Sequence, residues 1–256
     1  MSDYNAKEDK IIEMIESLIR NGVDAELIIS RFESKIFDLK KPELYFWFAK
    51  NVKGIDIESH EQAVIDKRDP EWNYKFAKNV KGSDINAHGQ VIINSGSLEW
   101  NYKFAKDIKG ADVEAHERVI IEKGDPCYNY MFARYVKGAD VRAHGQAIIN
   151  SGDLEWNFNF AKNVRGSDVK AHGQVIKDSG DPELNYKFAR YIDGIDTKLN
   201  GHGKAVINSC DLEWNYKFAR DIIGADVRAH EQVIINSGDP EWNYKFARYI
   251  EGADVR

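Results

Sequence analysis

Apolar positions along the chain recur at helical spacing in short blocks. On a 100° wheel Trp72, Phe76, Ala77 and Val80 fall within one arc, which predicts an amphipathic helix. Its boundaries are written in the sequence. Asp69 is placed as an N-cap, Pro70 stands at the first helical position, and the helix is expected to run to Lys81 and stop at Gly82. Two residues on, Asp84 opens a second helix that ends near Asn94-Ser95-Gly96. The same Gly-x-Asp junction returns at Asp56, Asp112, Asp140, Asp168, Asp196, Asp226 and Asp254. Helices of about ten residues are too short to stand alone, so each must stack on its neighbours.

The blocks form a tandem repeat. All seven histidines occupy one position (His60, His88, His116, His144, His172, His202, His230), spaced by 28 residues except for one spacing of 30. The five prolines share a second position, and a Phe-Ala-Lys/Arg core recurs eight times, from Phe48 to Phe246. Residues 41–256 are therefore expected to form eight tandem units in a single array, the last one incomplete after Gly252-Ala253-Asp254. Residues 1–40 are expected to be a divergent cap of two helices, one over residues 5–21 and one from Asp24. An insertion at Thr197–Gly201 is the one visible break in register. The predicted fold class is all-α, a right-handed α-solenoid of two-helix repeats.

Composition narrows the setting. With 43% hydrophobic residues the chain can build a core, which excludes disorder. Two cysteines exclude a disulfide scaffold and suggest a reducing compartment. No apolar run approaches the ~18 residues of a membrane span, and MSDYNAKEDK lacks the layout of a signal peptide. A cytoplasmic protein is expected. The 42 acidic and 36 basic side chains leave a net charge of −6, and seven successive units from residue 55 to 252 each carry between −2 and 0. That balance gives no general attraction to nucleic acid or anionic lipid.

Two polar positions fall on the apolar stripes. Asn73 and its equivalents at 101, 129, 157, 185, 215 and 243 are expected to form an asparagine ladder bonded to the backbone of the adjacent unit. The histidines are expected to be structural. Equivalent residues on stacked helices lie ~8–10 Å apart, whereas two ligands of one zinc ion each lie about 2 Å from it. No metal, cofactor or small-molecule ligand is expected. Glycine follows the histidine at Gly89, Gly145, Gly173 and Gly203, where Glu61, Glu117 and Glu231 stand in other units; close approach of a neighbouring helix is the expected reason.

The solvent side of the first helices carries the candidate partner-binding residues. A cation follows each Phe-Ala: Lys50, Lys78, Lys106, Arg134, Lys162, Arg190, Arg220 and Arg248. Four residues earlier stands an aromatic ring, including Tyr74, Tyr102, Tyr130, Tyr186, Tyr216 and Tyr244. At i, i+4 the cation can lie over the ring, and stacking would align the pairs as a ribbon. The competing reading is a solubilising face whose tyrosines pack laterally between units. Lys75, Lys103, Lys187, Lys217 and Lys245 are expected to widen the basic strip, and Trp47, Met131 and Phe158 are candidate exposed contacts among otherwise polar equivalents. Cys127 and Cys210 read as incidental thiols.

The assembled unit, GDPEWNYKFAR…GADVRAHEQVIIN, resembles α-solenoid repeat proteins of the HEAT/armadillo kind over residues 41–256, and looks closest to short two-helix arrays of bacterial and phage proteins. The period is shorter than the ~40–47 residues of HEAT or armadillo units. The resemblance implies a non-catalytic scaffold that binds another protein, such as an adaptor or an inhibitor of a CRISPR-type host-defence enzyme, and transfers no catalytic residue. Nucleic-acid binding through the Lys/Arg–Tyr ribbon, as in HEAT-like DNA-repair proteins, is the alternative. No nucleophile–base pair, phosphate loop or metal spacing appears, so an enzyme is not expected.

Overall fold

The computed structural model describes residues 6–192 and 201–254. Asp196 and the insertion at Thr197–Gly201, apart from Gly201 itself, lie outside the described residues. Among the described residues there are seventeen helices and no strand. The contacts gather into two compact units, Met1–Val119 and Ile120–Arg256. The first holds α1 (Ala6–Arg20), α2 (Ala25–Leu39), α3 (Pro42–Asn51), α4 (Ile57–Asp66), α5 (Pro70–Asn79), α6 (Ile85–Ser95) and α7 (Leu98–Asp107). Helix α8 (Val113–Lys123) divides between the units. The second holds α9 (Pro126–Tyr135), α10 (Val141–Ser151), α11 (Leu154–Asn163), α12 (Val169–Ser179), α13 (Pro182–Tyr191), α14 (His202–Ser209), α15 (Leu212–Asp221), α16 (Val227–Ser237) and α17 (Pro240–Tyr249). Within each unit, first helices pack on first helices and second on second, so each unit is a two-layered stack.

The helix starts follow the sequence. Asp69 accepts the backbone N–H groups of Glu71 and Trp72 at 2.9 and 3.2 Å, and Asp84 accepts those of Asn86 and Ala87, both at 3.0 Å. The first helices end two residues earlier than expected. Helix α5 stops at Asn79, and Val80 turns to extended backbone (ψ 117°) because this aims its side chain into the core. Its N–H still reaches Phe76 O at 2.9 Å. Second helices end on a left-handed residue, usually glycine, as at Gly96 (φ 64°), whose N–H bonds Ile93 O. Lys40, Arg68 and Cys210 hold that conformation without being glycine, at φ 54°, 54° and 57°.

A buried hydrogen-bond ladder joins the layers. Asn157 Nδ2 donates to Ile148 O of the preceding second helix (3.2 Å) and to Asp153 O of its own (2.7 Å). This is the predicted bond to the adjacent unit. The structure adds a second partner: Asn157 Oδ1 lies 2.7 Å from His172 Nδ1. With both amide protons committed to carbonyls, Oδ1 must accept, so Nδ1 carries the ring proton and the neutral ring presents its lone pair at Nε2. The link recurs at 2.7 Å for Asn73–His88, Asn101–His116, Asn185–His202 and Asn215–His230, and at 2.8 Å for Asn129–His144. Each ring also packs against the core phenylalanine, as His172 does against Phe160, with centroids 4.9 Å apart and planes tilted by 38°.

The expected cap is partly in register with the repeat. Phe32 and Glu33 stand 28 residues before His60 and Glu61. Glu33 Oε1 lies 3.1 Å from His60 Nε2, as Glu61 Oε1 does from His88 Nε2. Helix α2 is thus a second helix in which Phe32 replaces the histidine. Tyr45 takes the asparagine position, and among the described residues nothing reaches His60 Nδ1.

Burial pulls His88, His116, His144, His172, His202 and His230 down to about 4. An unfolded histidine titrates near 6.5, so between these values the unfolded chain binds more protons and stability falls as pH falls. Each proton forced onto a ladder ring costs up to about 3 kcal/mol. Helical far-UV circular dichroism is therefore expected to collapse cooperatively between about pH 6.5 and 4; a fully helical chain at the lower limit would contradict the ladder. Cys210→Gly is expected to raise the urea midpoint, by about 1 kcal/mol of stability, through relief of the left-handed backbone.

Candidate binding surface

All eight cations that follow Phe-Ala are exposed: Lys50, Lys78, Lys106, Arg134, Lys162, Arg190, Arg220 and Arg248. Their aromatic partners are not a uniform ribbon. Tyr74, Tyr102 and Tyr186 are buried, Tyr130 and Tyr216 are half-buried, and only Tyr244 is exposed, at 58%. Four of these rings meet the tryptophan of the next unit. Tyr74 packs on Trp100, Tyr130 on Trp156 and Tyr186 on Trp214, each with centroids 5.3 Å apart, and Tyr216 packs on Trp242 at 5.7 Å. Lateral packing between units, the competing sequence reading, describes these rings.

Polar tips reinforce that packing. Tyr74 donates its hydroxyl proton to Asp107 Oδ2 at 2.6 Å, and Lys78 Nζ reaches the same oxygen at 2.8 Å. In the second unit Tyr186 donates to Asp221 at 2.7 Å, while Arg190 and Arg220 pair with that carboxylate at 3.0 and 2.7 Å. The Lys78 hydrogen bond, followed by that of Tyr74, holds Asp107 below the usual carboxylate range. Arg220, then Tyr186, does the same for Asp221 against the opposing effect of burial. Burial, then the bond to Asp221, pushes Tyr186 up to about 12.

The lysines expected to widen the strip have another task. Lys75 lies 3.9 Å from the Trp72 ring centroid and 2.7 Å from Glu71, and Lys217 repeats this with Trp214 at 4.0 Å and Glu213 at 2.5 Å. Lys103 and Lys245 do likewise with Glu99 and Glu241, and Lys187 pairs with Glu183. These cations are neutralised within their own helix, and four of them cover a tryptophan. Trp47 and Met131, expected as exposed contacts, are half-buried, and Phe158, expected likewise, is buried against Phe188; Trp47 packs on the core of the first unit and Met131 Sδ lies 3.8 Å from Cys127 Sγ.

The structure exposes other residues. Tyr135 (50%), Tyr191 (49%) and Tyr249 (58%) stand one place after the cation, where other units have Asn51, Asn79, Asp107, Asn163 or Asp221. Lys162 Nζ sits 5.0 Å from the Tyr191 ring centroid, and Arg134 lies 5.3 Å from that of Tyr135. Ile223, at a junction position held by Lys53, Lys81, Lys109 and Lys137 elsewhere, is 98% exposed. Each is a departure from the repeat consensus, so the signal was present in the sequence. Among the described residues no carboxylate pairs with Arg134, Lys162 or Arg248.

Among the described residues no helix is long and apolar enough to cross a membrane. Comparison with protein-family models, curated proteins and solved structures finds no match. The class of protein defined here is an all-α helical repeat of paired helices.

Asp221→Ala is expected to lower stability by about 1 kcal/mol in urea denaturation, since it strips the half-buried Tyr186 hydroxyl of its acceptor and two arginines of their partner. An unchanged midpoint would mean that the Tyr–Arg–Asp cluster does not hold the units together.

Proposed function

We propose that the chain is a non-catalytic scaffold that grips the acidic face of another protein. The observation that carries this reading is the strip of the second unit in which exposed Tyr135 and Tyr191 accompany Arg134 and Lys162, cations with which no carboxylate pairs among the described residues. Tyrosine and arginine are favoured anchors in protein interfaces, and a ring held by a neighbouring cation loses little entropy on binding. Ile223 adds one exposed apolar side chain to this unit. Asp107 and Asp221 among the cations, and units of net charge between −2 and 0, favour a protein over the phosphate backbone of a nucleic acid. A right-handed solenoid in a bacterial or phage-infected cytoplasm, acting as an adaptor or as an inhibitor of a CRISPR-type host-defence enzyme, is the biological form of this proposal.

The test is the triple variant Tyr135→Ser, Lys162→Glu, Tyr191→Ser, compared with the unaltered chain in quantitative capture from host extract. Partner recovery is expected to fall at least tenfold, about 1.4 kcal/mol or more, with the urea midpoint unchanged. Recovery unchanged by the variant would place the binding face elsewhere. A duplex gel shift that weakens steeply with salt and is lost in the same variant would reassign the strip to nucleic acid.

A further inference from the structure

The residue after each histidine decides what meets the histidine of the next unit. Glu61 Oε1 lies 3.1 Å from His88 Nε2 and accepts the backbone N–H of Asp84 at 2.6 Å. One carboxylate oxygen thus bridges a buried imidazole and the amide at a helix N-terminus. Burial pushes the Glu61 carboxyl up, which favours sharing a proton with the ring. Where glycine replaces the glutamate, that position supplies no carboxylate. Among the described residues nothing reaches Nε2 of His116, His172 or His230, which follow Gly89, Gly145 and Gly203, although each of these rings is 0% exposed. A buried acceptor without a partner is destabilising, so this position calls for a ligand group.

The three glycine positions differ in access. Gly89 and Gly145 are buried, whereas Gly203 is partly open and borders a cleft of about 860 Å³. His230 and Asp226, which stand where His88 and Asp84 stand, line that cleft with Phe218, Lys204 and Arg228. A Cβ built on Gly203 would meet Phe218 Cε1 at 3.2 Å and His230 Nε2 at 3.7 Å, so the glycine stands beside the ring nitrogen, where the glutamate of other units would project.

We propose that this cleft is a receptor for a carboxyl group, seated between Nε2 of His230 and the backbone N–H of Asp226 as the Glu61 side chain is seated between His88 and Asp84. Asn215 Oδ1 holds the Nδ1 proton of His230, so the neutral ring offers a lone pair. A carboxylate therefore binds together with one proton, shared between its oxygen and Nε2, while its C–O dipole accepts the Asp226 N–H. The groups facing the seat are Lys204 from α14, Phe218 and Asn215 from α15, and Asp226 and Arg228 from α16. The two cations offset the desolvation of the incoming anion, and Asp226 is already committed to capping α16 through Ala229 N–H at 3.1 Å. The ligand is a small free carboxylic acid or an acidic side chain of a bound peptide. The seat shares no residue with the cation–tyrosine strip and does not depend on the function proposed for it.

Nitrogen-15 NMR of the histidine rings in the full chain tests this, with acetate and a terminally blocked peptide holding one Glu as probes, against chloride at equal ionic strength. Saturable movement of the His230 resonances is expected, with affinity falling about tenfold per pH unit above about pH 5 because the complex holds one more proton than its parts. Tighter binding of acetate identifies a free acid as the natural ligand, and tighter binding of the peptide an acidic side chain. In Gly203→Glu the His230 ring is expected to be shifted before any addition and to respond to neither probe. The absence of a His230 response in the unaltered chain, or equal binding by folded Gly203→Glu, overturns the proposal. The first measurement decides it even if the variant does not fold.

Discussion

A single buried contact, the hydrogen bond between asparagine Oδ1 and histidine Nδ1, is the constraint on which the rest of the structure depends. Asn157 has two protons and one carbonyl, and all are committed: to Ile148 O, Asp153 O and the ring of His172. Both side chains are 0% exposed, so neither has water as a substitute partner. Satisfying them together fixes three helices relative to one another: α10 through Ile148, α11, which carries Asn157, and α12 through His172. The ring is left packed against Phe160. That close packing of ring on ring is why the phenylalanine occurs in every unit, and why burial keeps the imidazoles neutral.

The same constraint shapes the surface. With the first helices held side by side, a ring projecting from one meets the tryptophan of the next, and Tyr74 and Tyr186 are drawn out of solvent. Their hydroxyls then place Lys78 and Arg190 against Asp107 and Asp221 of the following helix. A motif that reads as a binding ribbon is therefore largely a set of staples between units. What stays exposed is the departure from the motif: Tyr135 and Tyr191 one place further on, and cations with no carboxylate beside them among the described residues. The ladder likewise defines the carboxyl seat. It fixes the protonated nitrogen of His230 as Nδ1 and so leaves Nε2 as the group that must be answered from outside.

Much of this was legible in the residues alone because it is local. An Asp–Pro start, a left-handed glycine end and an apolar stripe act within four or five positions, so Asp69, Pro70 and Gly96 announced the helices they bound. The repeat of histidine and asparagine at one spacing marked them as structural before any contact was known. Less was legible at Val80, where a helix expected to reach Lys81 ended early because core burial outweighed one more turn. The exposed tyrosines were visible only as departures from consensus, and nothing local separates them from buried Tyr186.

Local sequence thus decided that the chain is helical, where its helices begin, and that they come in pairs. Tertiary structure decided which polar groups meet and which rings see solvent. Two tyrosines of one helix, Tyr186 and Tyr191, are buried and exposed respectively, because Trp214, 28 residues beyond Tyr186, covers only the first. His88 and His230 sit in the same motif, yet Nε2 of one is answered by Glu61 and that of the other by no side chain among the described residues, through a residue 27 positions earlier. Contacts of that range depend on how neighbouring helices pack, and a pattern read along a single helix contains no measure of it.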